Sequence, residues 1–286
     1  MNKIILRLSN ELGNQMFMYA SALGISKKIN RKLLIDNETA FLLKKNISKY
    51  GLNNFNIKSE IAPDDFKFLG TTGYLKRKLF IKSDFFISKK RFLIEKKNEK
   101  KISSFDDKIF DINFSKNTFM EGNFESEKYF SDIKHLIVDE FRFNNIEKYQ
   151  KSPFFKILND NNAVSICLRQ NRFLEGKKNK NNDFNKMKSK KFSNEQINYI
   201  NKSINFFNNK INNPIFYIWS NDFYDFDESK FNSPINKVIH NPEFLQDIDK
   251  RALDLFLISL CKNHIVIPSS FNWWGAWLSS HSDKIT

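Results

Sequence analysis

Strands alternating with helices through most of this 286-residue chain predict an α/β fold built on parallel sheets. Three observations support that class. The chain opens as a βαβ unit: the apolar strand KIILRLS, the loop NELGN, the apolar helix QMFMYASALGISKKI and a second strand, KLLID. The second half repeats the alternation, from AVSICLR through NEQINYINKSINFF, PIFYIWS and RALDLFLISLC to HIVIPSS and a tryptophan-rich helix. Strands joined in this way are parallel, with right-handed crossovers. With 41% hydrophobic residues the chain can fill one large core or two of ordinary size. The polar stretch around Pro153, residues 142–162, is the expected boundary, giving domains 1–155 and 156–286.

In chain order, the first candidate site is the loop Leu12-Gly13-Asn14-Gln15, between the first strand and the first helix. Glycine lets a backbone approach a ligand closely, and an asparagine amide can donate to a leaving oxygen. A strand-to-helix turn also calls for these residue types for backbone reasons alone. Residues 38–118 carry lysines with Phe and Ile at uneven intervals and support no assignment. From Ser126 to Phe143 the pattern predicts an amphipathic helix opened by Ser126.

Arg169 and Arg172 follow the strand AVSICLR, at the carboxyl end where α/β folds collect ligands. Two guanidiniums three residues apart can face one diphosphate, or serve as surface ion-pair partners. An unpartnered buried charge would be costly, which favours the phosphate. The stretch Gly176–Lys191 carries seven Lys against one Asp and reads as a mobile solvated insertion, with a lid over an anionic ligand as the alternative. Asp254, in the apolar helix RALDLFLISLC, is either a solvated face residue or an acceptor for the N1 and N2 protons of guanine. Asp225-Phe226-Asp227 and Asp247-Ile248-Asp249 match the short DxD pattern that can hold Mn²⁺ or Mg²⁺, a pattern common by chance in acidic loops.

The run PSSFNWWGAWL, residues 268–278, packs three of the chain's four tryptophans into eleven positions. Such density means core packing for the rings. Ser269 and Ser270 stand between the strand HIVI and the tryptophan helix, and a helix N-terminus offers N–H groups to phosphate.

A formal charge of +15 favours anionic partners such as a nucleotide diphosphate or an acidic membrane surface. The lysines and asparagines run along nearly the whole chain, and no zinc finger, RNA-recognition signature or basic helix feeding a heptad repeat is present. Nucleic acid is therefore not an expected partner. Cys167 and Cys261 lie in apolar runs without metal-ligand spacing and read as buried, reduced thiols; His135, His240, His264 and His281 are scattered, so no metal is expected. No apolar segment reaches the roughly 20 residues of a membrane span, and the opening MNKIILRLS reads as the first buried strand, so the fold is expected to begin at Met1 without a leader. The expected location is the cytoplasm, with peripheral contact at the inner membrane.

Four stretches, LGNQMFMYA near the start, GNFESEKYF at 122–130, SND at 220–222 and CKNHIVIPSSFNWWGAWL at 261–278, resemble the bacterial α-1,2-fucosyltransferases of glycosyltransferase family 11. They span nearly the whole chain in the right order. The resemblance implies a GT-B-like architecture of two Rossmann-like domains with a donor and acceptor cleft between them, the N-terminal one mainly acceptor-side and the C-terminal one holding GDP-fucose. It implies inverting transfer of L-fucose to a galactose 2-hydroxyl, on a galactose-terminated oligosaccharide or lipid-linked glycan, with no cofactor and no essential metal.

By that resemblance Arg169 matches the diphosphate-binding arginine of an HxRRGDY-type motif, and Ser269, Ser270 and Phe271 match a second phosphate-contacting loop. Asp254 matches a guanine-contacting aspartate and Asn14 the asparagine of the N-terminal loop. Gly13, Arg172 and the Ser220-Asn221-Asp222 run complete the expected donor site. Glu175, Glu11 and Asp222 are the candidates for a general base. Where the family pattern reads HxRRGDY this chain reads CLRQNRF, so Cys167, Gln170, Asn171 and Arg172 stand for His, Arg, Gly and Asp; Asn10-Glu11 replaces two glycines. These departures leave open a same-fold transferase with another donor or linkage, or a catalytically silent nucleotide- or carbohydrate-binding protein. The chain stops at Thr286 where such enzymes start another strand, which suggests a shortened chain.

Overall fold

The structure is a computed structural model that describes residues 1–42, 48–96, 103–160, 162–174, 183–224 and 226–286. The chain divides into two units, Met1–Asn144 and Asn145–Thr286. The stretch around Pro153 falls in the second unit except for its first three residues, and there it forms two short helices, α4 (Ile146–Tyr149) and α5 (Phe154–Leu158).

The first unit runs β1 (Lys3–Arg7), α1 (Leu12–Lys28), β2 (Lys32–Asp36), β3 (Glu60–Ile61), α2 (Gly70–Ser83), β4 (Lys90–Ile94), β5 (Phe114–Glu121) and α3 (Lys134–Glu140). Its sheet is parallel throughout, in the order β3-β2-β1-β5-β4. Ile4 pairs with Leu33 on one side and Thr118 on the other, and Ile4, Ile5 and Leu6 are all buried. A strand covered on both faces has no polar side, which is why KIILR shows no alternation. α1 is buried along nearly its whole length, apolar all round as a core helix must be.

Three strands of this unit fall in or overlap residues 38–118, where the sequence supported no assignment. β3 is two residues long, and short 3-10 turns interrupt the rest. The helix expected from Ser126 to Phe143 is mostly absent. Two 3-10 turns, Glu127–Tyr129 and Ser131–Ile133, precede α3, and Ser126 makes no side-chain capping bond. The physical reason is packing: Tyr129 and Phe130, adjacent in sequence, are both buried, and the Tyr129 carbonyl lies directly against Gly24 of α1.

The second unit continues with β6 (Ala163–Leu168), α6 (Asp183–Lys210), β7 (Ile215–Ser220), β8 (Ile235–Lys237), α7 (Lys250–Leu260), β9 (Asn263–Ile265) and α8 (Ser270–Leu278). The sheet is again parallel, in the order β8-β7-β6-β9. Both units are therefore Rossmann-like α/β layers, the fold class the sequence predicts. Val164, Ile166, Ile200, Ile204, Phe207, Phe216, Ile218 and Ile265 form the core on the α6 side. α6 begins earlier than expected: Asp183–Lys191, read from sequence as part of a mobile insertion, is its first turns. That stretch contains no Gly or Pro, and its Ser189 is buried and accepts the Phe173 N–H at 3.1 Å. Residues 176–182 of the same stretch lie outside the described residues.

The tryptophan run is mostly packing, as its density predicts. Trp274 is fully buried, and Trp273 and Trp277 stack at 6.1 Å. A Cβ on Gly275 would collide with Ile258, so this glycine lets α8 approach α7 closely. After α8 the tail returns beside β9, where the Ile285 carbonyl accepts the His264 N–H at 2.9 Å. No helix among the described residues is long and apolar enough to cross a membrane.

His264 gives the second unit a titration of its own. It is buried in β9 with Nδ1 2.7 Å from Ser165 Oγ, and burial, with Lys284 and His281 nearby, lowers its pKa to about 3. A folded value below the unfolded one of about 6.5 means that the unfolded chain binds the extra proton between the two. The stabilisation is full above about pH 6.5 and is lost as the pH falls toward 3, at about 1.4 kcal/mol per pH unit from this one group. Urea unfolding at pH 5 and pH 7 is expected to show this slope, and His264→Asn should flatten it by about one proton. An unchanged slope in the variant would assign the acid sensitivity elsewhere.

Candidate functional site

In each sheet the chain first builds outward on one side of its first strand and then crosses to the other side. In the second unit the chain steps from β6 to β7 to β8 on one side and then places β9 on the other side of β6. A ligand crevice forms at the carboxyl ends of the strands flanking such a switch point. Here those ends lead into Arg169-Gln170-Asn171-Arg172 after β6 and Pro268-Ser269-Ser270 after β9. Two sequence-predicted donor segments thus start from neighbouring strands.

The Arg169 backbone is fixed from α6. Gln196, buried among the apolar residues of that helix, accepts the Arg169 N–H at 3.2 Å and donates to its carbonyl at 2.9 Å. Sequence reasoning missed Gln196, although a glutamine on the Ile200, Ile204 and Phe207 stripe was the available signal. The Arg169 side chain is exposed, as is Arg172, whose guanidinium sits 4.9 Å from the Phe192 ring centroid. Because both arginines are exposed, the argument from the cost of burying their charge does not apply to them, and their position at the end of β6 carries the expectation instead.

The departures in CLRQNRF have structural causes. Asn171, where the family has glycine, holds a left-handed backbone with φ of 52°, and asparagine tolerates that region better than most residues. Its amide donates to Asp222 Oδ2 at 2.9 Å. Gln170, where the family has arginine, donates from Nε2 to the Asp222 carbonyl at 2.5 Å, while its backbone N–H bonds Asn221 Oδ1 at 2.7 Å and its carbonyl accepts from Asn221 Nδ2 at 2.9 Å. Ser220 Oγ also donates to the Asp222 carbonyl, at 2.7 Å. The Ser220-Asn221-Asp222 run therefore clamps the β6 loop to the end of β7. Cys167 stays a neutral thiol, pushed up by burial and by the Asp254 carboxylate.

Asp254, in the first half of α7, is buried and engaged on both oxygens: Oδ1 lies 2.6 Å from His240 Nε2 and Oδ2 2.5 Å from Lys250 Nζ. The carboxylate can only accept, so His240 donates from Nε2, and its buried Nδ1 has no partner among the described residues. His240 was not legible as a site residue. It lies fourteen positions before Asp254 in an irregular segment with no pattern to mark it.

Ser269 occupies the N-cap position of α8 in extended conformation without a side-chain capping bond, and Ser270 and Phe271 form its first turn; all three are partly exposed. Asn272, fully buried, accepts the Ile267 N–H at 2.8 Å through Oδ1 and so ties the end of the strand region to the helix start.

In the first unit the switch lies between β1 and β5, and the same rule brings NELGNQ and GNFES together. Gly13 and Asn14 are in the first turn of α1, not in the preceding loop. Asn14 donates to Glu125 Oε1 at 2.8 Å, and Asn10, at φ 66°, donates to Asn123 Oδ1 at 3.0 Å. Gln15 is the buried hub: it donates to the carbonyls of Asn10 and Lys49 at 2.8 and 2.9 Å and accepts the Gly51 N–H at 2.9 Å. Glu95 accepts the N–H groups of Asn123 and Phe124 at 2.8 and 2.9 Å. Glu125 and Glu95 are carboxylates that sequence reasoning did not single out. Glu11 is exposed at the N-cap of α1.

Two expectations concern residues elsewhere. Glu175 and Asp225 lie outside the described residues. The second aspartate of each DxD string is a cap: Asp227 accepts the Ser229 N–H at 3.1 Å, and Asp249 accepts the Arg251 N–H at 3.0 Å and pairs with its guanidinium at 2.7 Å. Among the described residues no group of three or more His, Cys, Asp or Glu could hold a metal.

Residues 1–286 match the model of the family described as Glycosyl transferase family 11. The chain is 24% identical to the O-antigen biosynthesis glycosyltransferase WbnK of Escherichia coli, covering 97% of this chain and 91% of that protein. It is 25% identical to an alpha-1,2-colitosyltransferase of Escherichia coli, covering 100% of this chain and 91% of that one. Among solved structures it is similar to the NodZ alpha-1,6-fucosyltransferase soaked with GDP-fucose, with a TM-score of 0.54 at 12% identity over 97% of this chain and 92% of that chain.

Proposed function

Because the chain belongs to glycosyltransferase family 11, we propose that it is an inverting α-1,2-fucosyltransferase. It moves L-fucose from GDP-fucose to the 2-hydroxyl of a galactoside in a surface glycan of the lipopolysaccharide or O-antigen type. The observation that carries the reading is the second unit's switch point, where the arginine loop after β6 and the serine loop after β9 leave adjacent parallel strands.

In this reading the second unit holds the donor and the first mainly the acceptor. The acceptor oxygen attacks the anomeric carbon from the face opposite the diphosphate, and the bond to the β-phosphate oxygen breaks with its electron pair. About two negative charges gather on the departing diphosphate while the sugar ring becomes cationic, so fixed donors and cations aimed at the phosphates lower the barrier most. Arg169 and Arg172 supply the cations; Ser269, Ser270 and the start of α8 supply hydroxyl and N–H donors. Asp254 reads the guanine edge, and Lys250, whose side chain is 53% exposed, is the partner that the base displaces. Asn14 and Gly13 line the first unit's crevice. Glu175, Glu11 and Asp222 remain the candidates to take the acceptor proton.

A second reading, the same chemistry with another GDP-sugar donor, is favoured by the likeness to a colitosyltransferase and by Gln170 and Asn171 in the donor loop. Calorimetric titration with GDP in EDTA tests what the two share. Saturable binding unaffected by EDTA is expected. No binding would remove both readings, and binding restored only by Mn²⁺ would replace the arginine-based account with a metal site.

A further inference from the structure

We propose that α2 and the turn that follows it form a docking surface for an anionic lipid bilayer. α2 turns Arg77 inward, where its Nε donates to Glu121 Oε1 at 2.6 Å, and Phe80 and Ile81 are half-buried beside it. The opposite face is open and carries two large apolar side chains among polar ones: Leu75 and Leu79, one turn apart, are 58% and 66% exposed. Beyond the helix, Phe85 and Phe86 stand 83% and 85% exposed on the 3-10 turn Asp84–Phe86. Four large apolar side chains at this exposure within twelve residues are not scattered surface hydrophobics.

The charge around them has one sign. Lys76, Lys78 and Lys82 are exposed on the same helix, and Lys89 follows the turn. From Lys67 to Ile94 the only acidic residue is Asp84, which is buried and paired with Arg91. Exposed apolar side chains interleaved with lysines, with no exposed acid among them, suit a surface that meets anionic headgroups and inserts its apolar tips between them. A second copy of the chain is a poorer occupant, because a two-fold contact through this face would set lysines against lysines. The inference does not depend on which sugar the enzyme transfers.

The test is co-sedimentation of the full chain with vesicles, either pure phosphatidylcholine or phosphatidylcholine with 30% phosphatidylglycerol. Binding to the anionic vesicles alone, weakened by salt, is expected. A lysine near an anionic surface is worth about fivefold in binding, so Lys76→Gln/Lys78→Gln/Lys82→Gln should weaken it roughly a hundredfold. Leu79→Ser/Phe85→Ser/Phe86→Ser should also release the protein. The charge-matched control Lys148→Gln/Lys151→Gln/Lys202→Gln, in the second unit, should bind nearly as the wild type does. Absence of wild-type binding, or equal loss in the control, would overturn the assignment. So would concentration-dependent self-association that disappears in the serine variant, which would give the face to a second copy.

Discussion

Arg169→Ala is expected to lower kcat/KM for GDP-fucose at least tenfold while leaving the unfolding midpoint unchanged. A charge-assisted contact to phosphate is worth about 1.5–3 kcal/mol, a factor of about 10 to 150 at a barrier where that phosphate gains charge. The fold should not suffer, because Gln196 holds the Arg169 backbone and not its side chain, which is exposed. Arg169→Lys should fall between the two: the charge persists but the planar fork is lost. Steady-state kinetics with varied GDP-fucose decides this. If Arg169→Ala is near neutral and Arg172→Ala is not, the diphosphate belongs to the second arginine, and the match to the family motif fails at its main residue.

Gly24→Ala is expected to destabilise the first unit by about 3 kcal/mol, the upper range for forcing one extra methyl into a packed site. A Cβ at position 24 would run into the carbonyl of Tyr129 and approach Phe130 Cα, both backbone atoms of a turn whose own rings are buried. Neither side has a flexible end that can move away. α1 would have to shift, carrying with it the polar groups that α1 holds out to the loops: Asn14, Gln15 and Ser21, whose hydroxyl donates to the Phe124 carbonyl at 2.9 Å. Activity should therefore fall with stability. Gly70→Ala is the contrast, since no atom lies within 4 Å of its Cβ and only its φ of 63° opposes the change; about 1 kcal/mol is expected there. Urea unfolding of the two variants gives the comparison, and a Gly24→Ala loss below about 0.5 kcal/mol would show that the helix and the turn are not locked together.

The fold was most legible where burial is most complete. KIILR, KLLID, AVSICL and IFYIWS are apolar runs because both faces of each strand are covered, and each is a strand in the structure. The strands that escaped, β3, β4, β5 and β8, are short or broken by polar positions, and only their neighbours make them strands. The failure at 126–143 has the same origin: the local pattern is helical, but burying Tyr129 and Phe130 together against α1 favours 3-10 turns. Asp183–Lys191 failed in the opposite sense, because lysine and asparagine density looked like solvent exposure and hid a helix with one buried side, at Ser189.

The candidate site divides similarly. Residues at strand ends, Arg169, Ser220, Ser269 and Ser270, could be placed by counting from apolar runs, and the switch-point topology explains why those ends matter. Residues that act through a distant partner could not. His240 meets Asp254 across fourteen residues, Glu125 meets Asn14 across 111, and Gln196 meets Arg169 across 27. Each is an ordinary polar residue until the fold supplies its partner.

Linkage analysis of the product decides whether fucose is transferred to a galactose 2-hydroxyl. The protein is incubated with GDP-fucose, EDTA and a panel of galactose-terminated oligosaccharides, and the product is resolved by nuclear magnetic resonance. A single new α-fucosyl residue on the galactose 2-oxygen of at least one acceptor is the expected result. A product linked through another oxygen, or saturable GDP binding without transfer to any galactoside, would contradict it.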